Sequence, residues 1–153
     1  MSPPAEAILA AGEALSEEVT HLSFSVPFVY NSYAYAWNGW AQYVETWLDG
    51  PKEALFLGMN PGPWGMAQTG VPFGEIAAVR EWLRLEPSIG KPRQEHPKRP
   101  ILGMECNRSE VSGRRLWGLF QETFGSPERF FSRFGVVNYC PLLFMAETGR
   151  NIT

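Results

Sequence analysis

The sequence has few cysteines, no long apolar run and no strong charge of either sign. Two cysteines, Cys106 and Cys140, cannot form a four-thiolate zinc or iron–sulfur site, which excludes those metal folds. No apolar stretch approaches the ~20 residues of a membrane-spanning helix. The N-terminus lacks a basic segment before an apolar run, so we predict no secretion and expect both thiols to stay reduced. The formal net charge of −3 does not exclude a nucleic-acid partner, because such proteins need only be basic locally.

The sequence also lacks the phosphate-binding motifs of nucleotide enzymes. It contains neither the G-K-[ST] ending of a P-loop nor G-x-G-x-x-G, which disfavours a nucleotide-phosphate binder. Its 153 residues are 44% apolar and 14% aromatic, enough to pack one domain or part of a larger one. Residues 1–4 are expected to be disordered.

Hydrophobic spacing predicts alternating helices and strands. Helices are expected over Ala5–Thr20, from Trp37 to a stop at Asp49-Gly50-Pro51, over Glu75–Leu85, and from an N-cap at Ser109 to Gly125. The apolar runs predict buried strands over Ala54–Leu57 and Phe134–Leu143, and a short strand at Ile101–Leu102. A strand, a glycine-rich loop and a helix in this order form half of a βαβ unit, so we predict an α/β fold.

The loop after the first strand, GMNPGPWGMAQTGVPFG, is the main candidate site. Its prolines restrict the backbone around Asn60, and it carries the further polar residues Gln68 and Thr69 before ending at Phe73. One interpretation is a stiff turn with no ligand. The other is a binding loop, because open α/β sheets place ligands at the carboxyl ends of their strands.

Two other polar features each allow two interpretations. Asn138 interrupts the apolar run FGVVNYCPLL, and it is either a satisfied core amide or a group that faces a ligand. The loop Pro87–Pro100 carries four cations, Lys91, Arg93, Lys98 and Arg99, against one carboxylate. It is either a solvated surface or an extended strip that contacts phosphates.

The sequence contains, in this order, the four blocks GMNPGPWGMAQTGVPFG, EHPKRP, SEVSG and NYCPLLF. From about Tyr35 to Thr153 it closely resembles the single-strand-selective monofunctional uracil-DNA glycosylases. The resemblance implies a uracil-DNA glycosylase-like fold, with a central four-stranded, mainly parallel sheet flanked by helices. It implies hydrolytic removal of uracil, 5-hydroxymethyluracil and related oxidised pyrimidines from single- and double-stranded DNA, after base flipping. We expect DNA as the partner, no cofactor, no metal and no membrane. We also expect a monomer, located in the nucleus of a eukaryote or the cytoplasm of a bacterium.

By position, the resemblance assigns roles in the base pocket. Asn60 matches the catalytic asparagine that orients the attacking water, and Asn138 matches the asparagine that recognises the flipped base. Phe73 matches the aromatic residue that stacks on the base, Met59 matches a backbone contact to the substrate, and Gly62 lies in the same wall. An amide such as Asn138 can complement N3–H and O4 of uracil, whereas cytosine would leave buried polar groups unpaired. Glycines in the wall are expected to leave room for a substituent at C5.

Two further segments are predicted to contact DNA. Lys98 and Arg99 belong to the basic loop. The segment of Thr148, Gly149, Arg150 and Asn151 matches the start of a DNA-contacting helix or wedge.

The sequence departs from the family pattern at two points. Trp64 stands where many relatives carry phenylalanine. The HPSP-type motif, whose histidine stabilises the departing base, is absent, and neither His21 nor His96 replaces it. Such a loss typically costs about two to three orders of magnitude in rate. We therefore expect residues 1–153 to be the N-terminal portion of a single glycosylase domain, without its final strand, and uracil release only from a longer form. The alternative is a non-catalytic DNA-binding fragment.

Overall fold

The computed structural model describes residues 1–153, which form helices and strands. The helices are α1 (Pro3–Thr20), α2 (Ser32–Tyr35), α3 (Trp37–Tyr43), α4 (Met66–Thr69), α5 (Val111–Phe124) and α6 (Pro127–Phe131). The remaining helical turns are the π-helical segments Val44–Leu48 and Ala78–Trp82 and the 3-10 turn Gly103–Glu105. The strands are β1 (Phe28–Asn31), β2 (Ala54–Gly58), β3 (Phe134–Asn138), β4 (Leu142–Met145) and β5 (Asn151–Ile152). The predicted α/β class is confirmed. None of the helices combines the length and the apolar character that crossing a bilayer requires.

The strands form two small sheets instead of the expected single one. β2 and β3 pair in parallel, whereas β1, β4 and β5 form an antiparallel sheet in the order β1-β4-β5. The expected mainly parallel sheet is therefore confirmed only for the pair β2–β3. The predicted strand Phe134–Leu143 divides at Pro141, whose carbonyl accepts hydrogen bonds from the backbone and the hydroxyl of Ser32. This break turns β4 away from β3 and against β1.

Strand β2 is exposed, although its apolar sequence predicts burial. Leu55 is 56% exposed and Leu57 is 66% exposed. β2 also pairs on one edge only, with β3, so its other edge is open. The other predicted strand fits better, because Val136 of β3 is fully buried.

Helix ends differ from the prediction at three places. α1 begins at Pro3, and the backbone N–H of Ser2 donates to Asp49 Oδ1 at 3.2 Å, within the residues 1–4 for which the sequence predicts disorder. Helix α5 begins after Glu110 instead of Ser109, whose hydroxyl donates to Glu75 Oε1. The predicted helix Glu75–Leu85 is shortened to the π-helical segment Ala78–Trp82 and the turn before it. The Ala78 N–H donates to Glu75 Oε2 at 2.8 Å, so Glu75 caps the start of this segment.

An aromatic core joins the helices to β3. Trp117 and Phe130 are fully buried, and Tyr43 donates its hydroxyl proton to the carbonyl of Val136 at 2.8 Å. Trp40 and Trp47 are also buried, which agrees with packing roles for these residues. This core anchors β3, whose carboxyl end carries Asn138.

The loop that follows β2 is fastened to the end of the basic loop by one buried amide. Gln68 Nε2 donates to the carbonyls of Pro63 (3.1 Å) and Pro100 (2.9 Å). Its Oε1 accepts from the N–H groups of Leu102 (2.8 Å) and Gly103 (3.2 Å). These bonds explain why residues 101–102 form no strand, because a side chain replaces the neighbouring strand. Gln68 is thus a structural brace, with no capacity left for a ligand.

Replacing Gln68 with alanine is expected to lower the free energy of unfolding by about 3 kcal/mol. The reason is that four backbone groups, one buried and three part-buried, lose their partner. Urea denaturation followed by circular dichroism measures the change. Gln121→Ala, at an exposed position of α5, is the matched control and is expected to stay within about 0.5 kcal/mol of the original chain. Equal stability of the two variants would contradict the bracing role.

Candidate functional site

A cleft of about 160 Å³ lies where the parallel strands β2 and β3 end. Parallel strands end at the same edge, so the loops after both strands meet there. The residues that line the cleft come from these loops, from the start of α5 and from the last residues of the chain: Asn60, Pro61, Gly62, Phe73, Glu110, Ser112, Asn138, Asn151 and Thr153. The structure therefore brings together Asn60, Gly62, Phe73 and Asn138. Two larger depressions, of about 550 and 600 Å³, lie beside α1 and contain none of the predicted site residues.

The carboxamide of Asn60 has one fixed end and one free end. Its Nδ2 donates to the carbonyl of Leu142 at 3.1 Å, which ties the loop after β2 to the start of β4. This bond sets the orientation of the amide and leaves Oδ1 able to accept a hydrogen bond from a water or a ligand.

Asn138 carries an unpartnered oxygen at the cleft. Its Nδ2 lies 3.0 Å from Met66 Sδ, a weak acceptor, and its buried Oδ1 has no hydrogen-bond partner. A buried polar atom without a partner costs free energy, so a satisfied core amide does not describe this residue. The geometry instead favours a group that awaits a donor.

Gly58 allows Asn138 and Phe73 to approach each other. A Cβ atom at Gly58 would lie far inside van der Waals contact with Asn138 Oδ1 and 2.6 Å from Phe73 Cε2. Phe73 has a positive φ of 52°, which is unusual for a bulky residue. Its carbonyl accepts from Trp117 Nε1 at 2.9 Å, so a core residue holds this backbone in place.

Glu110, the N-cap of α5, has no role in the sequence-based predictions. Its Oε1 accepts from the Ser112 hydroxyl at 3.1 Å, whereas its buried Oε2 has no hydrogen-bond partner. The carboxyl group occupies the space that side chains would fill at Gly62 and Gly65, since a Cβ at either position would overlap it. The room that we expected beside Gly62 is therefore occupied. Burial raises the pKa of the Glu110 carboxyl, the Ser112 hydroxyl opposes the rise, and the charge of Glu75 adds to it. Its place in the SEVSG block was the only sequence signal.

Several predicted contact residues lie outside the cleft. The Met59 side chain is 67% exposed, and its carbonyl accepts from Cys140 N–H at 3.0 Å. Thr148, Gly149 and Arg150 form the turn between β4 and β5 instead of the start of a helix. Of this predicted segment only Asn151, which begins β5, lines the cleft.

The basic loop contains a buried histidine that does not reach the cleft. His96 is 3% exposed, its Nε2 lies 2.7 Å from the carbonyl of Glu147, and its Nδ1 accepts from Lys98 N–H at 3.0 Å. Both ring nitrogens are thus engaged, and His96 ties the basic loop to the segment after β4. Lys98 is exposed and Arg99 is half-buried.

We expect Glu110→Gln to change how stability depends on pH. Because the pKa of Glu110 is raised in the folded chain, its stabilising contribution is complete below the ordinary carboxyl value of about 4.3 and is lost as the pH rises through the folded value. The variant lacks this loss, so its melting temperature should exceed that of the original chain at about pH 7, and the gap should shrink toward about pH 4. Thermal melts across this range measure the gap. Glu122→Gln, exposed on the same helix, is the control. A gap that does not vary with pH would contradict the assignment.

Comparisons with known proteins identify relatives of this chain among curated proteins and among solved structures. No family model matches the chain. The curated single-strand selective monofunctional uracil DNA glycosylase of Bos taurus is 55% identical over 151 residues, which cover 97% of this chain and 56% of that protein. The corresponding protein of Rattus norvegicus is 54% identical, over 97% of this chain and 54% of its own. A crystal structure of wild-type SMUG2 from Pedobacter heparinus superimposes with a TM-score of 0.53 at 20% identity, covering 92% of this chain and 58% of that one, which shows a shared fold.

The chain spans about half the length of the curated relatives that it matches. Within that half, the aligned region extends along almost all of the chain, so it spans the loop, the strand and the helix start that form the cleft. The chain therefore belongs to the family of the single-strand-selective monofunctional uracil-DNA glycosylases.

Proposed function

We propose that the cleft binds a uracil base flipped out of DNA, and that the protein hydrolyses the N-glycosidic bond of that base in base-excision repair. The observation that carries the proposal is the unpartnered Oδ1 of Asn138, which lies in one cleft with Phe73 and an oriented Asn60. The family relationship supports the same conclusion, since the relatives are named uracil-DNA glycosylases.

Asn138 recognises the base through both ends of its amide. The Oδ1 accepts from N3–H of uracil, and the Nδ2, which now contacts only the Met66 sulfur, donates to O4. Cytosine has an acceptor at N3 and an amino group at C4. It would therefore place an acceptor against Oδ1 and a donor against Nδ2, and neither pair can form a hydrogen bond. Leaving buried polar groups unpaired rejects a ligand far more strongly than a missing apolar contact does.

Asn60 positions the water that attacks C1′ of the sugar. The amide is neutral and cannot remove a proton as a strong base, so its contribution is placement. The bond from Nδ2 to the Leu142 carbonyl fixes the amide plane, and Oδ1 then holds the water by accepting a hydrogen bond from it. The new bond joins the water oxygen to C1′, the glycosidic bond breaks, and its electron pair leaves with the base. The proton that the water loses ends on the departing base, which leaves as neutral uracil.

The proposed substrates also include 5-hydroxymethyluracil and related oxidised pyrimidines, in single- and double-stranded DNA. The proposed acting form is a monomer. Support for a polar C5 substituent comes from Glu110, because its carboxyl fills the space at Gly62 in the wall of the cleft. A hydroxymethyl group can donate to this carboxylate, whereas a methyl group cannot.

A second candidate is base binding without turnover. It is favoured by the absence of histidine among the residues that line the cleft and by the engagement of both ring nitrogens of His96 elsewhere. Release of uracil from a single-stranded oligonucleotide separates the two candidates. The bovine relative serves as the positive control. Binding of uracil DNA without release, both by this chain and by a form extended by the C-terminal motif, supports the second candidate, whereas release by the extended form supports the proposed function.

In the longer form, from which release is expected, replacing Asn60 with alanine is expected to slow uracil release by about a hundredfold or more, the typical cost of removing one preorganised polar group. Binding of uracil-containing DNA should change by no more than about twofold, because Asn60 acts on the water. Single-turnover release and fluorescence anisotropy measure the two effects. Equal losses in binding and in release would assign Asn60 to substrate binding instead.

Replacing Asn138 with aspartate is expected to reduce the preference for uracil over cytosine by about tenfold or more, since a carboxylate cannot donate to O4. The measurement compares the dissociation constants of single strands that carry one uracil or one cytosine, and it needs no turnover. Gln121→Glu, at an exposed position, adds the same charge and should leave the preference unchanged. An unchanged preference in the aspartate variant would rule out Asn138 as the reader of the base.

A further inference from the structure

The Trp64 ring carries two guanidinium groups. The Cζ atom of Arg108 lies 4.5 Å from the ring centroid, and that of Arg99 lies 5.4 Å from it. The three residues come from different segments, namely the loop after β2, the end of the basic loop and the approach to α5. Both distances lie within the ~6 Å range of cation–π attraction, for which tryptophan is the strongest aromatic partner.

Neither arginine forms an ion pair. The cations that form ion pairs with carboxylates are Arg80, Arg84, Lys91 and Arg133. Arg108 donates no hydrogen bond. The Arg99 side chain donates only from Nη1, to the carbonyl of Lys98, and its Nε is buried without a partner. Two like charges over one ring repel each other, so this arrangement favours an anion between or beside them.

The pair of cations borders the base cleft. Trp64 follows Gly62 by two residues, and Arg108 precedes Glu110 by two residues, and both Gly62 and Glu110 line the cleft. Two residues span at most about 7 Å, so Trp64 and Arg108 lie close to the cleft.

We propose that Arg99, Trp64 and Arg108 form a phosphate clamp that holds the DNA backbone beside the flipped nucleotide. The clamp rests on the proposed function, because its ligand is the strand that carries the target base. The Arg108 guanidinium donates no hydrogen bond within the chain, so its N–H groups are free to donate to two phosphate oxygens, and Arg99 adds its Nη2 group. The ring thus fixes both arginines before DNA binds, which reduces the entropy lost on binding.

The test measures binding of a uracil-free single strand by the 153-residue chain over a series of salt concentrations. Arg108→Ala and Arg99→Ala are each expected to weaken binding about threefold to tenfold and to lower the log–log salt slope by about 0.7. Trp64→Ala should weaken binding without a change of formal charge, and Trp64→Phe, which keeps an aromatic ring, should retain most of the affinity.

Arg129→Ala is the matched control. Arg129 is exposed on α6, forms no ion pair, and precedes β3, so it lies toward the opposite end of that strand from the cleft. Its removal should leave affinity and slope nearly unchanged. An Arg108→Ala variant that binds like the original chain, or an Arg129→Ala variant that loses as much as Arg108→Ala, would overturn the clamp.

Failure of the clamp is distinguishable from failure of the proposed function. If Arg108→Ala has no effect and the original chain still prefers uracil over cytosine, only the clamp is wrong. If the original chain binds single strands without any preference for uracil, yet Arg108→Ala weakens binding, the clamp stands and the base pocket is wrong. If the original chain binds neither the uracil strand nor the cytosine strand at low salt, both the clamp and the base pocket are wrong.

Discussion

The parallel pairing of Gly58 with Asn138 brings together the two loops that form the cleft. Because both strands end at the same edge, Asn60 and Asn138 come from positions 78 residues apart in sequence and still share one cavity. The hydrogen bonds from Tyr139 N–H to the Gly58 carbonyl and from Cys140 N–H to the Met59 carbonyl extend this pairing beyond the strands. Absence of a side chain at Gly58 then lets the Phe73 ring and the Asn138 amide meet.

The rigidity of the cleft comes from polar braces more than from apolar packing. Gln68 holds the loop after β2 to the residues beyond the basic loop. The Trp117 indole holds Phe73 through its carbonyl, and the Leu142 carbonyl orients Asn60. Each brace satisfies a part-buried backbone group, so it stabilises the fold and places the site at the same time.

The cleft also collects polar atoms that the fold leaves unsatisfied. Asn138 Oδ1, Glu110 Oε2 and Asn151 Oδ1 are all buried without partners, and all three residues line this one cavity. Native proteins keep few such atoms, because each lowers stability. Their concentration in a single cleft, beside a phenylalanine with positive φ, is typical of a site whose ligand supplies the missing hydrogen bonds. The unpaired arginines over Trp64 add an uncompensated positive charge near the same place.

The sequence alone determined the local elements and the identity of the main polar groups. Periodicity identified α1, α3 and α5, and the proline-rich loop identified Asn60 as a restrained amide, because these properties depend on neighbours in the chain. Only the tertiary structure decided that β4 turns away to form a second sheet, that β2 stays exposed, and that Gln68 is a brace. It also decided that Glu110 enters the cleft and that Arg108 joins Arg99 over Trp64. These outcomes depend on contacts between residues far apart in sequence, which no local spacing encodes.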